Sequence, residues 1–237
     1  MADRIAIVAV WFEKSLQIGR LKPGEAASPK ALREALACYL TGLVFSRAVF
    51  VLVYFASTGQ KFEIGDAIGI PLALLVQLVD AALFVLLLHL CLLLVGRRLR
   101  LRHVATVCCY ALGGQLPFIA VFTAYFRYSA IQLALNRQDP SLPYLGAAIT
   151  SALEQRQDSS IRILVLVCLC LAVATILFYS AHIVRLLSGL GAAKSTARTW
   201  MAYIAGFCVN GLAMIYYFNP AMWLLIIRLG GSRGSTQ

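Results

Sequence analysis

The chain has 237 residues, of which 61% are hydrophobic and only 13% are charged, and its formal net charge is +11. So little polar surface excludes a water-soluble globule, and several apolar runs long enough to cross a bilayer indicate an all-α integral membrane protein. Most basic residues lie outside these runs, so the positive charge is concentrated at the membrane surface. Nucleic acid is therefore excluded as a partner.

The first 27 residues form a separate N-terminal interfacial segment. Residues 5–12 are apolar, but a stretch of about eight residues is too short to span a membrane. We expect a short interfacial helix, with Trp11 at the depth of the headgroups and the Lys14 side chain extended toward them. The alternative is an uncleaved signal-like stretch without further function. Ser28 and Pro29 are typical of the cap and first residue of the helix that follows.

Residues 28–227 form the predicted membrane domain, and residues 228–237 form a C-terminal tail. Five apolar runs have close to, or more than, the roughly 20 residues that cross a hydrocarbon core as a helix. The predicted spans are 35–55, 70–95, 104–125, 163–187 and 199–227. The long link at 126–160 contains proline breakers and then the amphipathic stretch YLGAAITSALEQ, which predicts a short helix on the outer surface.

The basic residues indicate how the spans are oriented. Thirteen of the 21 Lys and Arg residues precede the first span, lie in the link that follows the second span, or lie in the last turn of the fourth span and the link after it. Seven lie in the opposite links and the C-terminal tail, and Arg47 lies inside the first span. Since basic residues collect on the cytoplasmic side, we expect a cytoplasmic N-terminus and a C-terminus outside.

Arg47 and Asp80 are charged residues within the first two predicted spans. A lone charge near the bilayer centre costs on the order of 3 kcal/mol on insertion scales, so it is tolerated mainly when paired or lining a cavity. At about 1.5 Å of rise per residue, the two lie roughly 13 and 15 Å from the outer ends of their helices. The matching depths predict that Arg47 and Asp80 form an ion pair.

Three amides extend this level into a midplane polar layer. Gln115 and Asn210 each lie roughly 16 Å from the inner ends of their spans, and Gln77 shares a helical face with Asp80. One interpretation is a buried ion pair that fixes helix register, with the amides as hydrogen-bonding partners between helices. The other is a polar pathway or ligand site. The predicted layer consists of Arg47, Gln77, Asp80, Gln115 and Asn210.

The helix faces around this layer also have a pattern. Gly42 and Ser46 give the first span an edge of small side chains, which lets a neighbouring helix come close. Tyr203, Gly206, Asn210 and Tyr217 share one helical face and form the predicted inward stripe of the fifth span.

The third span has the most irregular local chemistry. Gly113 and Gly114 weaken the helix, and Pro117 lacks an N–H group and clashes with the carbonyl group of Gly113. A kink near the midplane is therefore expected. It either only shapes the packing or marks a transport-type broken helix, in which non-helical backbone lines water.

No set of residues indicates an enzyme, a cofactor or a metal site. The nucleophile, zinc-protease and phosphate-binding motifs are missing, and no pair of carboxylates stands at catalytic spacing. The cysteines form no CxxC pair, so we expect them to act as small packing residues. The seven are Cys38, Cys91, Cys108, Cys109, Cys168, Cys170 and Cys208.

Two histidines and a run of arginines lie toward the cytoplasmic rim. The histidines are most simply interfacial residues. Together with the arginines they are also candidates for binding an anionic lipid headgroup. The candidate residues are His89, Arg97, Arg98, Arg100, Arg102 and His182.

The stretch LLLHLCLLLVGRRLRLRHVATVCCYALGGQLPF resembles the central signature of the Yip family (Ypt/Rab-interacting proteins) in its short bacterial form. The matching positions are His89, Gly96, Tyr110 and Pro117. A second stretch, HIVRLLSGLGAAKSTA, is similar to the family's linker before its last span, and SPKALREAL is similar to the family's entry into the first span. The chain departs from the family in Gly96-Arg97, where a doubled glycine is usual, and in its long 126–160 link.

The resemblance implies a Yip-domain membrane protein of the bacterial inner membrane that organises membrane partners or lipids without catalysis. Members of the family in eukaryotes have a long cytosolic N-terminal region that is associated with Rab GTPases. This chain has only about 27 residues before its membrane domain, so Rab binding is not carried over. Membrane lipids, other membrane proteins and further copies of the chain are the expected partners. The alternative hypothesis is a small permease or ion-coupled carrier that uses the midplane polar layer.

Overall fold

The computed structural model describes residues 13, 18, 21–26, 28, 30–58, 64–124, 159–190 and 195–214. Every regular element in this part of the chain is a helix, as the sequence predicts. The helices are α1 (Pro23–Ala26), α2 (Ala31–Thr58), α3 (Ile64–Leu94), α4 (Leu101–Phe122), α5 (Ser159–Gly189) and α6 (Thr196–Ala213).

Four of these helices are long and apolar enough to cross a membrane. The candidate spans are Ala31–Val53, Leu74–Leu94, Leu101–Phe122 and Leu166–Gly189. Many large apolar side chains on them are exposed, which is expected of a surface that faces lipid rather than water. The all-α membrane architecture is thereby confirmed, but the described helices supply four candidate spans and not the predicted five. Helix α6 has 18 residues, and the rest of the predicted fifth span lies outside the described residues.

Local sequence signals explain where several helices begin and end. The backbone N–H group of Ala31 donates to Ser28 Oγ at 3.2 Å, which confirms the predicted cap of α2. Ser195 caps α6 in the same way, because its side chain accepts from the N–H group of Arg198. Helix α3 ends at Leu94, and two residues later Gly96 has a φ of +80°, which is readily adopted only by a residue without a Cβ atom.

The chain divides into two compact units that interleave along the sequence. The first contains residues 1–62 and 106–183, and the second contains residues 63–105 and 184–237. In the first unit α1 contacts α2, and α2 packs against α4. In the second unit α3 packs along α6. The membrane domain predicted as one stretch, 28–227, therefore contributes to both units.

Several sequence predictions concern residues outside the described ranges. They include the interfacial helix with Trp11 and Lys14, the outer helix within 126–160, the end of the fifth span and the tail at 228–237. These remain predictions.

Candidate functional site

Asp80 of α3 and Asn210 of α6 form a polar contact inside the second unit. Asn210 Nδ2 donates to Asp80 Oδ1 at 2.8 Å, and both side chains are half-buried. Asn210 Oδ1 is buried and has no hydrogen-bond partner within the described part of the chain. The contact therefore leaves one buried acceptor beside the carboxyl group.

The face of α6 that carries Asn210 packs closely on α3. Tyr203 meets Phe84 edge to face, with 6.0 Å between the ring centroids. A Cβ atom on Gly206 would lie 3.2 Å from the Cα atom of Leu88, so the two backbones approach each other at this point. These contacts confirm the predicted inward stripe at Tyr203, Gly206 and Asn210, and its fourth member, Tyr217, lies outside the described residues.

The other three residues of the predicted polar layer are all half-buried. Arg47 lies on α2 in the first unit, where its guanidinium carbon is 5.8 Å from the centroid of the Phe50 ring on the same helix. This geometry is a cation–π contact. Gln115 lies on α4 in the first unit and Gln77 on α3 in the second. The pairing of Arg47 with Asp80 remains a prediction.

Helices α2 and α4 meet at two glycines. A Cβ atom on Gly42 would overlap the carbonyl oxygen of Gly113, and one on Gly113 would lie 2.7 Å from the carbonyl group of Cys38. Ser46 is buried one turn further along α2. The small-residue edge predicted at Gly42 and Ser46 therefore does admit a neighbouring helix at backbone distance.

Pro117 removes a helical hydrogen bond at this crossing. Helix α4 runs without interruption from Leu101 to Phe122 with Pro117 inside it, so the broken-helix alternative for this span is wrong. Because proline has no N–H group, the carbonyl oxygen of Gly113 loses the donor four residues ahead. One Cα–H bond of Gly42 points at that oxygen, since a Cβ atom in its place would overlap it. A weak Cα–H···O contact thus replaces the missing helical donor.

A second contact between α2 and α4 has no counterpart in the sequence predictions. Tyr110 Oη donates to Glu34 Oε2 at 3.1 Å, and the Tyr110 ring is almost fully buried. Two features of the sequence point to this contact. Glu34 is an acidic residue in the first turn of α2, and Tyr110 lies one turn before Gly113. The contact joins the first turn of α2 to the middle of α4, close to the glycine crossing.

Arg97 differs from the exposed arginine that the lipid-binding hypothesis expects. Its side chain is only 3% exposed, and one guanidinium nitrogen donates to the carbonyl groups of Leu187, Ser188 and Leu190 at 2.6, 3.2 and 2.8 Å. Burial lowers the pKa of the Arg97 guanidinium, which nevertheless stays protonated at physiological pH. Arg97 therefore caps the C-terminal end of α5, where a cation is favoured by the helix dipole.

The remaining candidates for lipid binding have more varied surroundings. Arg98 and Arg100 are exposed, and so is Arg102, whose Nε lies 3.3 Å from the His103 ring nitrogen Nε2. His182 Nδ1 lies 2.8 Å from the carbonyl oxygen of Phe178 on its own helix. His89 Nδ1 is buried and has no hydrogen-bond partner among the described residues.

All seven cysteines lie in the described part of the chain and are free thiols. Cys38, Cys108 and Cys109 are buried, and Cys38 contributes backbone to the glycine crossing. Among the described residues no group of three or more His, Cys, Asp or Glu side chains is placed to hold a metal ion.

Comparison of the chain with models of protein families, with curated proteins and with solved structures finds no match. The resemblance to the Yip family therefore remains a prediction. The functional argument depends on the contacts described above.

Proposed function

We propose that this chain is a five-span membrane protein of the Yip-domain type that acts as a non-catalytic organiser of membrane partners or lipids. Helices α2 to α5 supply four spans, and the stretch 199–227 supplies the fifth in this proposal. In this proposal the protein resides in a bacterial inner membrane. The distribution of its Lys and Arg residues supports a cytoplasmic N-terminus.

The backbone contact between Gly42 and Gly113 is the observation that carries the organiser proposal. No side chain separates the two helices at this crossing, and a Cβ atom on either glycine would overlap or crowd the opposite backbone. A carrier must open a water-filled route between helices, whereas this crossing has no free volume at its centre. Close packing of this kind favours a bundle that presents a fixed surface to partners.

Hydroxyl groups inside the helices support the same proposal. Several of them donate to the carbonyl oxygen four residues earlier in the same helix, so they need neither water nor a neighbouring helix as a partner. The donors are Thr41, Thr123, Thr175 and Ser180, and their acceptors are Ala37, Ile119, Leu171 and Ile176.

One observation favours the alternative of a small permease or ion-coupled carrier. Asp80 and Asn210 set a carboxyl group beside a buried amide oxygen that lacks a partner among the described residues. Oxygen atoms of this kind bind protons and small cations, and ionisable residues inside membrane spans commonly serve transport. The two functions differ in whether water reaches this pair.

Thiol labelling near Asp80 separates the two functions. Gln77→Cys stands one turn from Asp80, and Leu75→Cys, whose native side chain is exposed on the apolar surface of α3, is the matched lipid-facing control. Each is placed in a cysteine-free chain and treated with a small hydrophilic thiol reagent, with Lys61→Cys, in a link expected on the outer side, as the reference. The organiser proposal expects the cysteine at 77 to react no faster than the one at 75. A rate close to that at position 61 would support the carrier.

A further inference from the structure

The link between α3 and α4 begins in a defined backbone conformation. Gly96 adopts a φ of +80°, and its N–H group donates to the carbonyl of Leu93 at 3.0 Å. The N–H group of Arg97 donates to the carbonyl of Leu92 at 2.7 Å. These two bonds form a Schellman motif, which turns the chain sharply away from the axis of α3.

Alternate residues of this link point in opposite directions. Arg97 and Leu99 are buried, at 3% and 7% exposure, and Arg98 and Arg100 are exposed. The Arg97 side chain fastens the link to the end of α5 through its three carbonyl contacts. The N–H group of Leu99 donates to the carbonyl oxygen of Arg97 at 3.0 Å, which closes a γ-turn around Arg98, and Arg100 is exposed only two residues further on. The link therefore presents Arg98 and Arg100 together on its outer side.

Apolar side chains flank this pair of arginines. Leu94, at the end of α3, is 86% exposed, and Leu101, at the start of α4, is 45% exposed. Both leucines are terminal residues of candidate membrane spans, so the link between them lies where the hydrocarbon core meets the headgroups. One short segment thus combines two cationic side chains at headgroup depth with apolar side chains beside them.

We propose that Arg98 and Arg100 bind the phosphate groups of an anionic phospholipid, with Leu94 and Leu101 in contact with its acyl chains. A soluble phosphate would use the arginines alone and leave the leucines without a role. Arg97 is a positioning residue in this site, because it holds the link to α5 and does not face the lipid. The inference rests on the proposed organiser function and names the lipid class that the organiser binds.

Lipid binding to the purified full chain tests the site. The protein in neutral detergent is titrated with cardiolipin, phosphatidylglycerol, phosphatidylcholine or inorganic phosphate, and bound lipid is counted by native mass spectrometry. We expect the two anionic lipids to bind. Phosphatidylcholine and inorganic phosphate should not compete with them. Arg98→Gln with Arg100→Gln should weaken anionic-lipid binding roughly tenfold or more, given the attraction expected of each basic residue near an anionic surface.

Lys30→Gln with Arg33→Gln is the matched control, because it removes the same charge from two exposed residues near the start of α2. It should change binding by less than about twofold if the site is specific. Equal weakening by both pairs of substitutions would overturn the proposal, and so would competition by inorganic phosphate at the affinity of the lipid. If the glutamine pair does not fold, Arg98→Lys with Arg100→Lys is used instead, because it keeps the charge. The wild-type chain provides a further test. If it binds anionic lipid no more tightly than phosphatidylcholine, the proposal is overturned. A failure of lipid binding leaves the labelling result at position 77 unaffected, so the two proposals fail separately.

Discussion

Gly42 lies against the carbonyl group of Gly113, the group that Pro117 deprives of its helical donor. The proline and the glycine therefore act together: the first exposes a backbone acceptor, and the second allows the neighbouring helix to cover it. This relationship explains why a proline is tolerated inside a membrane span, where an uncovered carbonyl is costly.

Alanine substitutions at this crossing test the contact. Gly42→Ala and Gly113→Ala place a methyl group onto opposing backbone, which has no flexible end that can move aside. We expect each to destabilise the protein by about 1–3 kcal/mol or more, as overpacking does. The measurement is the midpoint of thermal unfolding in detergent.

Gly211→Ala is the control for the glycine crossing, because a Cβ atom at Gly211 meets nothing within 4 Å. It should be neutral or stabilising by up to about 1 kcal/mol, since alanine favours helix. A Gly42→Ala protein as stable as the Gly211→Ala protein would contradict the close approach of α2 and α4.

The hydrogen bond between Asp80 and Asn210 is tested with a double-mutant cycle. Asp80→Ala, Asn210→Ala and the double substitution are compared with the wild type by their unfolding free energies. We expect a coupling energy of about 0.6–2 kcal/mol, the range found for hydrogen bonds between membrane helices. Strictly additive losses would mean that the two side chains do not interact.

Arg97 is expected to stabilise the end of α5. Arg97→Ala removes this donor from three carbonyl groups, of which that of Leu187 still accepts from the N–H group of Leu190. A buried acceptor that is left unsatisfied costs about 1–3 kcal/mol. Hydrogen exchange at residues 187–190 should accelerate strongly, whereas Arg98→Gln, at an exposed position, should leave it unchanged. Slow exchange in the Arg97→Ala protein would show that the cap does not hold this helix end.

The proposed orientation follows from the basic residues and is tested by labelling intact cells. Single cysteines replacing Lys61 and Arg137 in a cysteine-free chain should react with an impermeant thiol reagent added outside, because both lie in links expected on the outer side. A cysteine replacing Arg100 should not react. The reverse pattern would contradict the orientation and every depth derived from it.

The sequence predicts well which residues share one face of a helix, because their spacing alone determines this. The spacing of Tyr203, Gly206 and Asn210 defines a face without knowledge of its partner, and the small residues Gly42 and Ser46 mark an edge in the same way. Which helix packs against this face does not follow from the spacing of the residues or from their depth in the membrane. It depends on how helices distant in sequence pack, and that is why the approach of Gly113 to Gly42 was not predicted.

Arg97 illustrates a different limit. By type it counts as one more exposed cation in a basic link, and its neighbours Arg98 and Arg100 fit that description. The distinguishing signal is Gly96, since a glycine at the end of an apolar helix predicts a Schellman turn and so fixes the direction of the next residue. The carbonyl groups that Arg97 then contacts lie about 90 residues further along the chain, beyond the reach of any local pattern.

The most direct test of the organiser function removes both charges from the predicted polar layer. Arg47→Gln with Asp80→Asn keeps size and hydrogen-bonding groups while abolishing the ionisable carboxyl group that a coupled carrier requires. The double variant is first shown to be folded and inserted, by its elution in detergent and by its labelling pattern, and is then expressed in a deletion strain. The organiser account predicts a phenotype close to that of the wild type. A folded, correctly inserted variant without any activity in the deletion strain would contradict it and identify Asp80 as a coupling residue.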